Sequence, residues 1–182
     1  MILSFGGSLG ARTLNEAMAS VLAEEAKTGE FQFIHGYGRN GAWMPERLAE
    51  HGVDAARAPQ ISLREYINDM PECLAAADLV ICRAGAITLS ELQAKGKASI
   101  LIPSPNVAEN HQYHNAMALV RRHAAEILEE KDLTGEALRD LLHRVFEAPE
   151  EIQILGKNAR GMAVEDANER IYRILKETVK QP

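Results

Sequence analysis

Ala77-Asp78-Leu79-Val80-Ile81-Cys82-Arg83-Ala84-Gly85-Ala86-Ile87-Thr88-Leu89-Ser90-Glu91-Leu92 stands at the centre of a chain of 182 residues. Leu79 to Cys82 is a short apolar run, long enough for a buried strand. Small residues follow, and a helical pattern opens at Thr88. Strand, tight turn and helix in that order aim free backbone N–H groups at an anion. In open α/β sheets ligands sit outside the carboxyl ends of the strands, where this turn falls.

Working outward, the same alternation recurs. Ile2 to Phe5 reads as a strand and leads into Gly6-Gly7-Ser8-Leu9-Gly10-Ala11, then a helix from Thr13 to Ala26 with Leu14, Ala17, Met18, Val21 and Leu22 on one face. Phe31 to His35 is a second strand, closed by Gly36-Tyr37-Gly38. A shorter helix spans Ala42 to His51, and Val53 to Ala58 reads as a weak strand before Pro59. Asp69 is placed to cap a helix from Met70 to Ala77. Ile87 to Lys95 is a helix stopped by Gly96, and Ala98 to Ile102 an apolar strand ended by Pro103-Ser104-Pro105. Asn110 to Arg122 reads as helix and Ala124 to Leu128 as a short strand. Thr134 caps a helix through Phe146, and further helices cover Glu150 to Leu155 and Asp166 to Lys180. Strands alternating with helices predict a single α/β domain, a Rossmann-like parallel sheet with helices on both faces. The last helix carries Ala167, Ile171, Ile174, Leu175 and Val179 along one stripe, which predicts packing against the core.

Bulk properties narrow the function. Apolar residues make up 46%, which fits a folded domain rather than a disordered one, and the net charge of −6 argues against a nucleic-acid surface. No apolar run approaches the length that spans a bilayer. Cys73 and Cys82 both lie in apolar segments and read as buried free thiols of a cytosolic protein.

Gly6 to Ala11 follows a strand and precedes a helix, so its backbone can approach a ligand closely, with the Ser8 hydroxyl available to phosphate oxygens. A dinucleotide site would also want an acidic residue at the end of the second strand. His35-Gly36-Tyr37-Gly38 stands there instead, which weakens a nicotinamide reading. Glu91 has two readings: Thr88-x-x-Glu91 fits a capping box, and a carboxylate can equally accept paired hydrogen bonds from a ribose diol. Asn106, Glu109, Asn110, His111, Gln112 and Asn115 form a polar loop running into a helix, and amides and imidazoles there suit sugar hydroxyls. His111 and His114 are three apart with Glu109 nearby, yet the spacing is no recognised zinc signature. No catalytic triad or general base declares itself.

Gly6-Gly7-Ser8-Leu9-Gly10-Ala11-Arg12, Asp78 through Glu91, and His111-Gln112-Tyr113-His114-Asn115-Ala116 together resemble the MurG family, bacterial N-acetylglucosaminyltransferases that make lipid II from lipid I. The resemblance covers nearly the whole chain, and it is to the C-terminal, donor-binding half of a two-domain GT-B enzyme. It implies that an N-terminal domain precedes Ile2 in the whole protein and carries the acceptor site, the membrane-facing patch and the base, and that the last helix can pack back against that domain, leaving part of its apolar face exposed in this half. For this half it implies UDP-N-acetylglucosamine as ligand. Gly7 and Ser8 would meet the phosphates, and the Ile67 backbone, in Tyr66-Ile67-Asn68-Asp69-Met70, would read uracil. Gly85, Ala86, Ile87 and Thr88 would serve the diphosphate and Glu91 the ribose, against the capping box. Gln112 and Asn115, with His111, would face the sugar, while Arg83 matches the motif with either a binding or a structural role. Leu9 and the pair His111-Gln112 depart from the family pattern.

The chemistry implied is inverting displacement at the anomeric carbon by a hydroxyl of the lipid-linked muramyl-pentapeptide acceptor, with no metal or other cofactor in the donor site. The whole enzyme would sit peripherally on the cytoplasmic face of the inner membrane, and this half alone would bind donor without turnover. A stand-alone UDP-sugar-binding module of a split transferase, or another UDP-sugar enzyme such as an epimerase, remains an alternative.

Overall fold

Four-residue strands rich in Ile, Leu and Val, each followed by a turn and a helix, can bury both faces only in a parallel sheet covered on two sides. A computed structural model, describing residues 1–179, has that architecture. Its strands are β1 (Ile2–Phe5), β2 (Phe33–Gly36), β3 (Ile61–Arg64), β4 (Leu79–Cys82), β5 (Ala98–Leu101) and β6 (Glu126–Ile127). They form one six-stranded sheet in the order β3-β2-β1-β4-β5-β6, with every pair parallel. The helices are α1 (Arg12–Thr28), α2 (Met44–Glu50), α3 (Met70–Ala76), α4 (Ala86–Lys95), α5 (His111–Val120), α6 (Gly135–Glu147), α7 (Pro149–Arg160) and α8 (Ala167–Val179).

Alternate residues along each strand face opposite sides. Ile2, Phe33, Leu79, Ile81 and Ile100 pack with Leu14, Met18 and Leu22 of α1, Met44 and Leu48 of α2, and Leu138 and Leu142 of α6. On the other face Leu3, Val80, Cys82 and Leu101 pack with Leu74 of α3, Leu89 and Leu92 of α4, and Ala116 and Leu119 of α5. The chain therefore changes faces between β1 and β4, which are hydrogen-bonded neighbours. That switch point is where an open α/β sheet leaves a crevice.

Several expectations need correction. The weak strand at Val53 to Ala58 does not form. Ala56 N donates to Asp54 Oδ1 at 3.0 Å and Arg57 N to Asp54 O at 3.0 Å, which coils the segment into turns. The strand comes after Pro59, at Ile61–Arg64, where the chain can pair with β2. Asp69 precedes α3 but its side chain does not cap it; it accepts instead from Arg64 Nη1 at 2.7 Å, and that bond holds the Asp69 carboxyl below its ordinary pKa. Thr134 caps α6 as expected, its Oγ1 accepting from Ala137 N at 3.0 Å.

The α7 helix runs on to Arg160, and Gly156 lies against Gly96 O at the end of α4, in space no side chain could share. No residue of α8 is buried, so its stripe does not pack on this core: Ile171 is 56% and Leu175 59% exposed. Lys180, placed in that helix by the sequence, lies outside the described residues. Cys73 and Cys82 are buried free thiols.

Candidate functional site

Two corners frame the crevice, one between β1 and α1 and one between β4 and α4. Cavities of about 280 and 360 Å³ lie between them and share Phe5, Gly7 and Thr88, so they form one trough along the carboxyl ends of the strands. The smaller is completed by Ser8, Gly36, Glu65, Tyr66, Ile67, Met70 and Glu91. The larger is completed by Gly6, Gly10, Ala11, Arg83, Gly85, Ser104 and Gln112. Ser8 and Glu91, from opposite corners, thus open onto the same space. A groove of about 440 Å³ between α1 and α6, lined by Glu24, Glu25, Arg139 and His143 among others, includes neither corner.

Both helices that start at the trough are bare. Gly85 precedes α4 with no side chain capping it, and Ala11 precedes α1 in the same way. The first N–H groups of a helix have no intrahelical acceptor, so Ala86, Ile87 and Thr88 offer donors backed by the helix dipole. This is the arrangement that holds a phosphate. Thr88 lines the trough itself. Ala86 and Ile87 expose their side chains, Ile87 by 79%, and line neither cavity; what they offer beside the trough is the uncapped N–H groups of the helix start.

The start of α4 at Ala86 also removes the capping box. Thr88 is already in the first turn and Glu91 in the second, so neither occupies the position a box requires. The Glu91 carboxylate is exposed and lines the smaller cavity, free to accept from a ligand. Its charge, after burial itself, helps push the Cys82 thiol up to about 12, so that cysteine stays protonated.

Arg83 is tied down. Its Nη1 donates to Ile102 O at 3.2 Å and forms an ion pair with Glu130, while its Nη2 donates to Thr13 Oγ1 at 3.1 Å. Both charged side chains are largely buried. The guanidinium still lines the larger cavity, so it braces the floor and contributes charge to it.

The residues expected to face a sugar divide. Gln112 lines the larger cavity, and its Oε1 accepts from Ser104 N at 3.0 Å, which turns its amide nitrogen away from that bond. Asn115 donates to Ala84 O at 3.2 Å and bounds neither cavity. His111 is exposed, its Nδ1 lies 3.0 Å from Ala108 O, and it likewise lines neither cavity. Among the described residues no group of three or more His, Cys, Asp or Glu is placed to hold a metal ion.

Sequence reasoning missed Phe5, Gly36, Tyr66 and Met70 in the smaller cavity and Glu130 beside Arg83. Placing the third strand at Ile61–Arg64 would have found Tyr66 and Met70, because the loop after that strand must fall at the sheet's carboxyl edge. Beneath the first corner, His35 is wholly buried, with Ser4 Oγ 2.8 Å from its Nδ1. Burial lowers its pKa to about 4, outweighing the Ser4 bond, so the ring is neutral.

A parallel sheet in this order, with two uncapped helix termini and small residues at its switch point, defines a Rossmann-like domain of the kind that cradles a phosphate-bearing ligand. The chain belongs to the glycosyltransferase family 28 C-terminal domain family, whose description matches residues 1–171. It is 38% identical over 181 residues to the UDP-N-acetylglucosamine--N-acetylmuramyl-(pentapeptide) pyrophosphoryl-undecaprenol N-acetylglucosamine transferase of Acetivibrio thermocellus, covering 99% of this chain and 48% of that protein. The enzyme of the same name from Desulfitobacterium hafniense is 42% identical over 178 residues, covering 97% and 48%. The crystal structure of Acinetobacter baumannii MurG superposes with a TM-score of 0.81 at 30% identity, over 97% of this chain and 49% of that one. The chain spans about half the length of the curated relatives it matches.

Proposed function

We propose that this chain is the donor-binding half of an inverting N-acetylglucosaminyltransferase that moves N-acetylglucosamine from UDP-N-acetylglucosamine onto lipid I, forming lipid II for peptidoglycan. The observation that carries the reading is the single trough into which Ser8 and Glu91 both open, at the switch point of a family 28 domain. In it the uracil lies by Ile67, the ribose hydroxyls donate to Glu91, and the diphosphate takes the Ser8 hydroxyl and the N–H groups of Ala86, Ile87 and Thr88. Gln112 donates to the sugar through its amide nitrogen. Asn115 holds the end of β4 rather than the ligand, and His111 stays outside the trough.

As the bond at the anomeric carbon breaks, charge builds on the departing UDP. Each bare helix terminus stabilises it by about 0.3–1 kcal/mol, and by up to about 2 kcal/mol where partly buried. These donors are fixed before the reaction, so no metal is required of this half. The acceptor, a lipid-linked muramyl pentapeptide, and the base belong to the other half of the whole enzyme, which works peripherally at the cytoplasmic face of the membrane.

Calorimetry with UDP-N-acetylglucosamine, UDP-glucose and NAD, each with and without EDTA, tests this. UDP-N-acetylglucosamine should bind most tightly, with no effect of EDTA. Binding of NAD alone would end the transferase reading.

A further inference from the structure

We infer that Tyr37–Asn40, a segment that lends no side chain to the trough, sets the distance between its base-side and phosphate-side walls, with Asn15 as the positioning residue. The inference rests on reading the trough as a nucleoside-diphosphate site. The segment is bonded in both directions. Toward the first corner, Arg39 N donates to Ser8 O at 3.1 Å and Asn40 N to Leu9 O at 2.9 Å. Toward the loop that carries Ile67, Tyr37 N donates to Arg64 O at 2.9 Å and Gly38 N to Glu65 O at 2.9 Å.

Gly10 and Gly38 bring the two loops into backbone contact. A Cβ on Gly38 would lie 2.1 Å from Gly10 N, and one on Gly10 2.1 Å from Tyr37 O. With φ of 80° and 72°, both also sit where side chains are strained. One side chain locks the strap. Asn15, 1% exposed in α1, donates from Nδ2 to Tyr37 O at 2.8 Å, and Gly41 lies against that amide.

A ligand that touches both walls gains from the second contact only if the walls already stand at the right separation. Uridine meets the Ile67 loop and Glu91 but not the Ser8 corner, and is indifferent to the strap. UDP meets both sides and depends on it.

Calorimetry with uridine and with UDP decides the matter on the unaltered chain, Asn15→Ala and Arg39→Pro, with Arg39→Ala as the reference for the last. Arg39→Pro deletes the N–H that Ser8 O accepts together with an exposed cationic side chain, and Arg39→Ala deletes the side chain alone. Gly38, with ψ of 167°, suits a following proline, and position 39 opens a 3-10 turn and is exposed. Asn15→Ala against the unaltered chain, and Arg39→Pro against Arg39→Ala, should each lose about tenfold in UDP affinity, the scale of one hydrogen bond of about 1.4 kcal/mol, with uridine affinity unchanged within about twofold. An unchanged ratio of UDP to uridine affinity in folded variants overturns the inference, and so does a parallel loss of both ligands, which marks a merely structural role. If Asn15→Ala does not fold, Arg39→Pro alone decides. An unaltered chain that binds neither ligand removes the reading of the trough itself, whereas tight UDP binding that the variants leave intact removes only the strap.

Discussion

The two corners of the trough look alike in sequence and differ in how they are held. At the first, Gly10 is pressed on the Tyr37–Gly38 peptide, and the loop is bonded to its neighbour along its length. At the second, Gly85 has φ of −72° and a Cβ placed on it would meet nothing within 4 Å. The protein itself leaves room for a methyl group at position 85. The smallness of Gly85 leaves clearance on the trough side, whereas the smallness of Gly10 serves the fold. A glycine-rich motif can thus mix architecture with clearance for a ligand, and only the surroundings of each position separate them.

The sharpest way to break this contrast is to add one methyl group at each corner. Gly10→Ala should cost about 3 kcal/mol or more in urea unfolding, because strain at positive φ adds to a clash with backbone. Gly85→Ala should leave stability within about 0.5 kcal/mol while weakening UDP binding in calorimetry. Equal destabilisation by the two would erase the distinction.

The first corner also rests on a titratable group. His35 has a folded-state pKa of about 4, below the value of about 6.5 expected unfolded. As pH falls, the unfolded chain takes up the proton first, so this contribution is full above pH 6.5 and is lost on the way to pH 4. About 3 kcal/mol should disappear across that window. Denaturant titrations at stepped pH should show the loss, and His35→Asn should flatten it.

At the second corner, Glu91→Ala should weaken UDP binding by about 1–3 kcal/mol, as for a hydrogen bond to a charged group. Stability should hardly move, since Glu91 caps nothing. Smaller again is Glu130→Gln. Removing the carboxylate that competes for Arg83 should tighten UDP binding by about 0.5–1 kcal/mol at low salt, and less at high salt.

Local signals carried well. The apolar runs of β1, β4 and β5, the Thr134 cap and the Gly96 stop lie where the sequence puts them, because short-range chemistry decides each. The family resemblance groups Ser8, Ile67, Thr88 and Glu91, and all four line one cavity. Competition between partners was not legible in the sequence. Asp69 has a helix to cap and takes Arg64 instead, and Thr88-x-x-Glu91 has no box because α4 has its uncapped N-cap at Gly85, three residues before Thr88. Contacts distant in sequence were invisible too: Glu130 beside Arg83, Gly38 on Gly10, and Asn15 on Tyr37. For the stripe of α8 the core reading fails and the exposed face that the family resemblance allows is what stands, because amphipathic spacing tells that a face is apolar and not what covers it.

Whether one nucleoside diphosphate bridges both corners can be read most directly from an NMR titration of the backbone amides with UDP. Gly7 and Ser8 at the first corner should shift together with Ala86, Ile87 and Thr88 at the second, all along one binding curve with a single dissociation constant. Shifts confined to one corner, or two curves with different midpoints, would contradict such a bridge.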